Sequence, residues 1–227
     1  IIVGDVHGCY DELTSLLEKC EYNRDEDELI FVGDLINKGP HSLEVLQLME
    51  FVQAKAVVGN HELAFLSYLE QRENIDPNQF PHWEDLMMQM GSKLEEWAEK
   101  IDGWPTFIER DHYIVVHAGL IPDRPPREED RDILARIRTW DGEGVHLNNP
   151  NDPPWHQLYE QYHTRPKRVI YGHWAAQGLH VTEHTVGLDS GCVYGNELSA
   201  YILPERRIIQ VKAKKPYSPI HPKSSSK

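Results

Sequence analysis

Apolar and polar positions follow two rhythms along this chain. Short β-branched runs at residues 1–3, 29–32, 56–58, 113–117 and 169–171 each end in a polar cluster containing Gly or His, the pattern of buried strands that open into loops. Between the first two runs, Leu13, Leu16, Leu17 and Cys20 recur at helical spacing, and Asp11 precedes them where it can cap the helix start. A second helix is predicted over residues 42–51, burying Leu43, Val45, Leu46 and Met49. Both read as sheet-covering helices, and the alternation as a whole predicts an α/β layout.

From residue 62 to residue 100 the pattern becomes helical, broken at Asp76-Pro77 and Phe80-Pro81. This predicts a helical insertion over about residues 62–105, with Phe65, Tyr68, Trp83, Met87, Met90 and Trp97 forming a small core of its own. Two Pro-rich loops, 121–130 and 148–155, surround a short helix expected to end near Arg138. Residues 185–188, 198–202 and 208–212 are predicted to be strands of a second, antiparallel sheet. Beyond a single domain over residues 1–212, residues 213–227 are rich in Lys, Pro and Ser and contain no acid, which predicts a solvated tail.

Composition narrows the function. Lys plus Arg is 23 and Asp plus Glu is 37, giving 23 − 37 = −14. That balance argues against broad electrostatic capture of a nucleic acid. Mean hydropathy is −0.57, and no apolar run approaches the roughly 20 residues that a membrane-spanning helix needs. The three cysteines, Cys9, Cys20 and Cys192, form no Cys-x-x-Cys pair. They fit neither a disulfide framework nor a thiolate zinc site, and a reducing, cytoplasmic setting is expected. The sequence opens at Ile1 inside a strand pattern without a Met, so residues upstream of this sequence are expected.

The chemistry lies in the polar clusters at the strand ends. They are Gly4-Asp5-Val6-His7-Gly8, Gly33-Asp34-Leu35-Ile36-Asn37-Lys38-Gly39, Gly59-Asn60-His61-Glu62, His117-Ala118-Gly119 and Gly172-His173-Trp174. Ligands of open α/β sheets gather at the carboxyl ends of strands, so these clusters can converge on one crevice. Asp5 and His7 alternate by two and can grip one cation from the same side. Asp34 could bridge two cations, while Asn60, His117 and His173 offer an amide oxygen and two imidazoles to the second. Mixed nitrogen and oxygen ligation suits Mn, Fe, Co or Zn better than calcium.

This ordered set resembles the calcineurin-like metallophosphoesterase superfamily from Ile1 to about Leu203. The run Asn37-Lys38-Gly39-Pro40 and the opening from Gly4 to Leu13 resemble its symmetrical diadenosine tetraphosphatase and ApaH-like branch more than the protein Ser/Thr phosphatases, where Asp-Arg-Gly is usual. The resemblance implies a β-sandwich of two mixed sheets flanked by helices. It also implies that Asp5 and His7 bind one metal, Asp34 bridges, Asn60, His117 and His173 bind the other, and His61 donates a proton. Two such ions, about 3.5 to 4 Å apart, activate water and clamp an in-line displacement; manganese is the expected metal.

Lys38 stands where the protein phosphatases carry an arginine, and Asn37 replaces the aspartate that supports the proton donor. An amide can orient His61 but cannot stabilise its imidazolium, which predicts a less basic histidine. Of Arg136 and Arg138, Arg138 is preferred as the phosphate-binding arginine, the alternative being a surface ion pair with the acidic run 128–132. His112, His146, His156, His163, His180 and His184 match no motif, and Cys9 has no base that would make it a nucleophile; Asp189 and Cys192, in the run from Gly187 to Cys192, read as part of a turn, the alternative being a segment near the pocket, which the run resembles in ApaH-like chains.

The leading expectation is hydrolysis of diadenosine tetraphosphate into two ADP, with a small nucleotide or polyphosphate as the partner molecule. Inorganic polyphosphate, a capped RNA end and phosphoproteins are the alternative substrates. A catalytically dead scaffold would lack ligands, whereas all of them are present here.

Overall fold

A computed structural model describes residues 1–144, 146–162 and 166–219; His163 and residues 220–227 of the expected tail lie outside the described residues. The elements run β1 (Ile2–Val3), α1 (Tyr10–Lys19), β2 (Ile30–Phe31), α2 (Ser42–Phe51), β3 (Lys55–Ala56), α3 (Asn60–Gln71), α4 (Pro81–Met90), α5 (Leu94–Asp102), β4 (Phe107–Glu109) and β5 (Tyr113–Val116). After these come α6 (Arg131–Arg136), α7 (Trp155–Tyr159), β6 (Arg168–Tyr171), β7 (His180–Val181), β8 (Thr185–Gly187), β9 (Glu197–Ile202) and β10 (Arg207–Lys212). No helix among the described residues is long and apolar enough to cross a membrane.

Two five-stranded mixed sheets form the centre, ordered β10-β9-β1-β2-β3 and β4-β5-β6-β8-β7. The period of two along each strand explains the layering. Ile2, Ile30, Val115, Ile170 and Val186 point between the sheets and pack together. Val3, Phe31 and Ala56 face the other way, onto α1 and α2, and Ile114, Val116, Val169 and Tyr171 pack beneath Trp140 and Trp155 on the far side.

This arrangement corrects the predicted second sheet. The late strands do not pair only among themselves: β9 and β10 extend the first sheet through the antiparallel β1–β9 pair, while β8 lies parallel to β6 in the second. Alternation of side chains tells which face of a strand is buried but not which strand lies beside it. The central strands of both sheets are parallel, which requires crossovers, so sequence neighbours are separated in space.

Three smaller expectations also change. The insertion's aromatics do not make a core of their own, because Phe65, Tyr68, Trp83, Met90 and Trp97 join the cluster that covers the first sheet. Asp11 lies inside α1, whose N-cap is Cys9, and it pairs with Lys214 (2.7 Å). The expected tail begins by packing rather than in solvent. Glu12, buried in α1, accepts the Lys214 N–H (2.9 Å) and the Tyr217 hydroxyl (2.8 Å), and the Tyr217 N–H donates to the Val193 carbonyl (2.9 Å).

Replacing Tyr217 with Phe removes one donor to a buried carboxylate and should cost about 1–2 kcal/mol. Urea unfolding checks this, and an unchanged midpoint would mean that the segment contributes nothing to the fold.

Candidate metal centre

The clusters at the ends of β1, β2, β3, β5 and β6 meet where the two sheets open. Backbone bonds stitch them together. His7 and Gly8 donate to the carbonyls of Asp34 and Leu35 (both 2.8 Å), and Gly172 donates to that of His117 (2.7 Å). The His173 N–H donates to Asp5 Oδ2 (3.0 Å), tying one sheet to the other. Two glycines are forced by these carboxylates. A Cβ on Gly172 would sit 1.9 Å from Asp5 Oδ1, and one on Gly59 would sit 2.3 Å from Asp34 Oδ1.

The backbone is strained where the chemistry sits. His7, Asp34, Asn37, Lys38 and His173 all have positive φ, between 46° and 73°, a region that residues other than glycine rarely occupy unless the surroundings hold them. Much of that holding comes from Glu62, wholly buried in the first turn of α3. Its carboxylate accepts the N–H groups of Asp34 (2.8 Å), Leu35 (2.8 Å), Ile36 (3.3 Å) and Gly59 (2.9 Å). The sequence reading gave Glu62 no role. Its signal was its position three residues after Gly59 at the start of a helix, the capping-box place.

Asp34 is buried and faces both ways. Its Oδ2 lies 3.5 Å from His7 Nε2, and its Oδ1 lies 3.4 Å from His117 Nε2. Both histidines have their tautomers set by backbone carbonyls, which can only accept: His7 Nδ1–H donates to the Ile36 carbonyl (3.1 Å) and His117 Nδ1–H to that of Val32 (2.8 Å). Burial, the first cause in each case, holds both imidazoles below their ordinary pKa and therefore neutral. His117 Nε2 is then a lone pair among acceptors, the oxygens of Asp34 (3.4 Å) and Asn60 (3.0 Å), whereas His7 Nε2 accepts from the Lys38 ammonium (3.0 Å) beside Asp34. Acceptors facing acceptors in a buried pocket are unfavourable, and a cation among His117, Asn60 and Asp34 resolves the conflict.

The remaining groups fit the same reading. His173 Nδ1 lies 2.7 Å and His117 Nε2 3.0 Å from Asn60 Oδ1, and His173 Nε2 is buried without a partner. Burial, followed by the charges of Asp189 and Asp34, raises the carboxyl of Asp5, and burial lifts that of Asp189 to about 6. Three carboxylates crowded together call for positive charge. Ligand atoms of His7, Asp34 and His61 lie within 4.8 Å of one another, as do those of Asp5, Asp34 and His117. Asp34 is common to both groups, and Asp5 falls with His117 rather than with its sequence neighbour His7.

A cavity of about 660 Å³ opens from this cluster, lined on its polar side by Lys38, His61, Arg138 and Asp189. The structure separates the two arginines. Arg138 faces the cavity, whereas Arg136 pairs with Asp132 on α6 (3.0 Å). Asp189 is a buried carboxylate of the cavity wall, the pocket position that the resemblance of its segment implies rather than a plain turn. His112, His146, His156, His180 and His184 do not line the cavity, and Cys9, Cys20 and Cys192 are buried and unpaired as disulfides.

His61 is oriented by Asn37. The Lys38 N–H donates to Asn37 Oδ1 (2.7 Å), which turns the amide Nδ2–H₂ toward His61 Nδ1 (2.8 Å). The amide donates, so Nδ1 accepts and the neutral ring carries its proton on Nε2, 4.0 Å from Asp34 Oδ2. Burial, against the pull of Asp34, lowers the His61 pKa from 6.5 to about 4.

Residues 1–205 match the calcineurin-like phosphoesterase family. A symmetrical bis(5′-nucleosyl)-tetraphosphatase of Dechloromonas aromatica is 30% identical, covering 92% of this chain and 94% of its own. An asymmetrical bis(5′-nucleosyl)-tetraphosphatase of Halalkalibacterium halodurans is also 30% identical, covering 95% and 94%. A crystal structure of a candidate diadenosine tetraphosphatase superposes with a TM-score of 0.80 at 32% identity, covering 93% of this chain and 92% of that one.

Two outcomes follow from the hydrogen bonds. Glu62→Gln turns an amide N–H₂ toward N–H donors and should lower stability by about 2–3 kcal/mol; a urea midpoint equal to that of the parent would contradict the role given to Glu62. Between pH 6.5 and about 4 the unfolded chain binds a proton that folded His61 refuses, so this residue weakens the fold as pH falls through that window. Asn37→Asp should raise the His61 pKa and narrow the window, as read by imidazole NMR titration, and no shift would count against the amide's control.

Proposed function

The chain belongs to the calcineurin-like phosphoesterase family, and on that premise we propose that it hydrolyses the phosphoanhydride bonds of dinucleoside polyphosphates, splitting diadenosine tetraphosphate into two ADP. The observation that carries the hydrolytic reading is Asp34, one of whose oxygens faces His7 Nε2 (3.5 Å) and the other His117 Nε2 (3.4 Å). The substrate class is supported by the relatives, which match over nearly the whole length of both chains.

In this reading Asp5 and His7 hold one divalent transition-metal ion, Asn60, His117 and His173 hold the other, and Asp34 bridges; manganese is the expected occupant, with Fe, Co and Zn as alternatives. Bound there, such ions supply positive charge for the phosphate oxygens and make water a competent nucleophile near neutral pH. Lys38 and Arg138 both line the cavity and bind flanking phosphates. Lys38 acts as a point charge, whereas the Arg138 guanidinium can fork onto two oxygens. His61 presents its Nε2–H to the leaving phosphate oxygen. A diphosphate leaves with little need of a full proton, so a weakly basic histidine held by an amide suffices. The three unpaired cysteines suit a cytoplasmic setting.

The asymmetrical relative favours a second register, in which the same site releases ATP and AMP. Product analysis of diadenosine tetraphosphate with manganese-loaded protein separates the two. The account expects two ADP, and a fall in rate of at least about a thousandfold in Asp34→Asn, the scale of losing a principal charge-stabilising group. ATP plus AMP would keep the chemistry and move the cleaved bond; unchanged turnover in Asp34→Asn would contradict the bridging role.

A further inference from the structure

We propose that Trp174 and Tyr194, which line the cavity, are the nucleobase-stacking platforms of this site, and that they set a preference for nucleoside over inorganic polyphosphates. The inference rests on the reading of the site as a dinucleoside polyphosphatase.

The two rings stand beside different groups of the cluster. Lys38 Nζ lies 3.0 Å from His7 Nε2 and 5.4 Å from the centroid of the Tyr194 ring, which seats Tyr194 beside Lys38. Trp174 directly follows His173, whose Nδ1 is 2.7 Å from Asn60 Oδ1. Both line the cavity and are half-buried. Two metal ions and a phosphate need no aromatic walls, whereas a base with two flat apolar faces does. A substrate gripped at its central phosphates sends one nucleoside toward each ring.

Tyr194 packs against the cluster that covers the first sheet. Trp174 belongs to none of the three hydrophobic clusters formed by the described residues, yet it is firmly placed, its ring 6.2 Å from that of His156. Its carbonyl accepts the Gln177 N–H (2.8 Å), and the Gln177 carboxamide is held between the Tyr171 hydroxyl (2.8 Å) and His156 Nε2 (2.7 Å). Tyr194 ends a short 3₁₀ turn between two left-handed glycines, Gly191 (φ 72°) and Gly195 (φ 91°), with its N–H donating to the Gly191 carbonyl (3.0 Å). A platform fixed before the ligand arrives loses little entropy on binding.

The test is calorimetric titration of manganese-loaded protein with ADP and with methyl diphosphate, which carries the same diphosphate monoester without ribose or base. The parent should bind ADP about tenfold more tightly, the scale of one stacked base. Leucine at both positions (Trp174→Leu with Tyr194→Leu) should bring ADP to the level of methyl diphosphate, with methyl diphosphate itself changing less than twofold. Phenylalanine at both should retain the ADP preference. The proposal is overturned if the parent does not prefer ADP, if the preference survives leucine, or if both ligands weaken together. No turnover is needed for these readings, so an enzyme that binds ADP as described but cleaves no dinucleotide would remove the hydrolytic assignment and leave the platforms standing.

Discussion

The site depends on a carboxylate that touches no substrate. Glu62, buried at the start of α3, gathers the amides of Asp34, Leu35, Ile36 and Gly59 onto its two oxygens. These bonds hold the loop after β2 in a left-handed turn at Asp34, and that turn carries the Asp34 carboxylate into the middle of the pocket, where both oxygens meet histidines. The first turn of α3 also contributes Asn60 and His61. One helix start therefore fixes the Asp34 carboxylate, the Asn60 amide and the His61 imidazole relative to one another. Strained backbone persists only where such over-determination exists, and here it falls at His7, Asp34, Asn37, Lys38 and His173.

Charge balance gives the second constraint. The chain carries a net charge of −14, and Asp5, Asp34 and Asp189 are buried side by side in the cavity floor and wall. An anionic substrate would be repelled by that arrangement. Divalent cations held among these carboxylates would reverse the sign locally, and Lys38 and Arg138 line the same cavity with two further positive charges. Beyond a Debye length of about 8 Å the remaining acidic surface is screened at physiological salt. The acidic composition thus disfavours long polyanions gripped along the surface while leaving a short, deeply held one unaffected.

Much of this was legible in the sequence, and the pieces that were not share a physical reason. Each site cluster follows an apolar run, so strand ends and ligands could be read together, and the structure brings Asp5, His7, Asp34, Asn60, His117 and His173 to one place. The pairing of β9 with β1 and of β8 with β6 could not be read, because alternation encodes faces and not neighbours. Glu62 has no legible role in the sequence because its importance lies in what surrounds it, four backbone donors; Asp189 is legible only through the resemblance of its segment, because a Gly/Ser-flanked aspartate otherwise reads as a turn. The segment from Lys214 to Tyr217 looked solvated because its anchor is a single buried acid, Glu12, some two hundred positions away.

The central claim is that Asp34 bridges two cations. Electron paramagnetic resonance of the protein loaded with two equivalents of manganese tests it most directly, since two ions sharing a carboxylate at about 3.5–4 Å are exchange-coupled. The account predicts the spectrum of a coupled pair, replaced by that of isolated ions in Asp34→Asn. Two equivalents bound as isolated ions in the unaltered protein would contradict it.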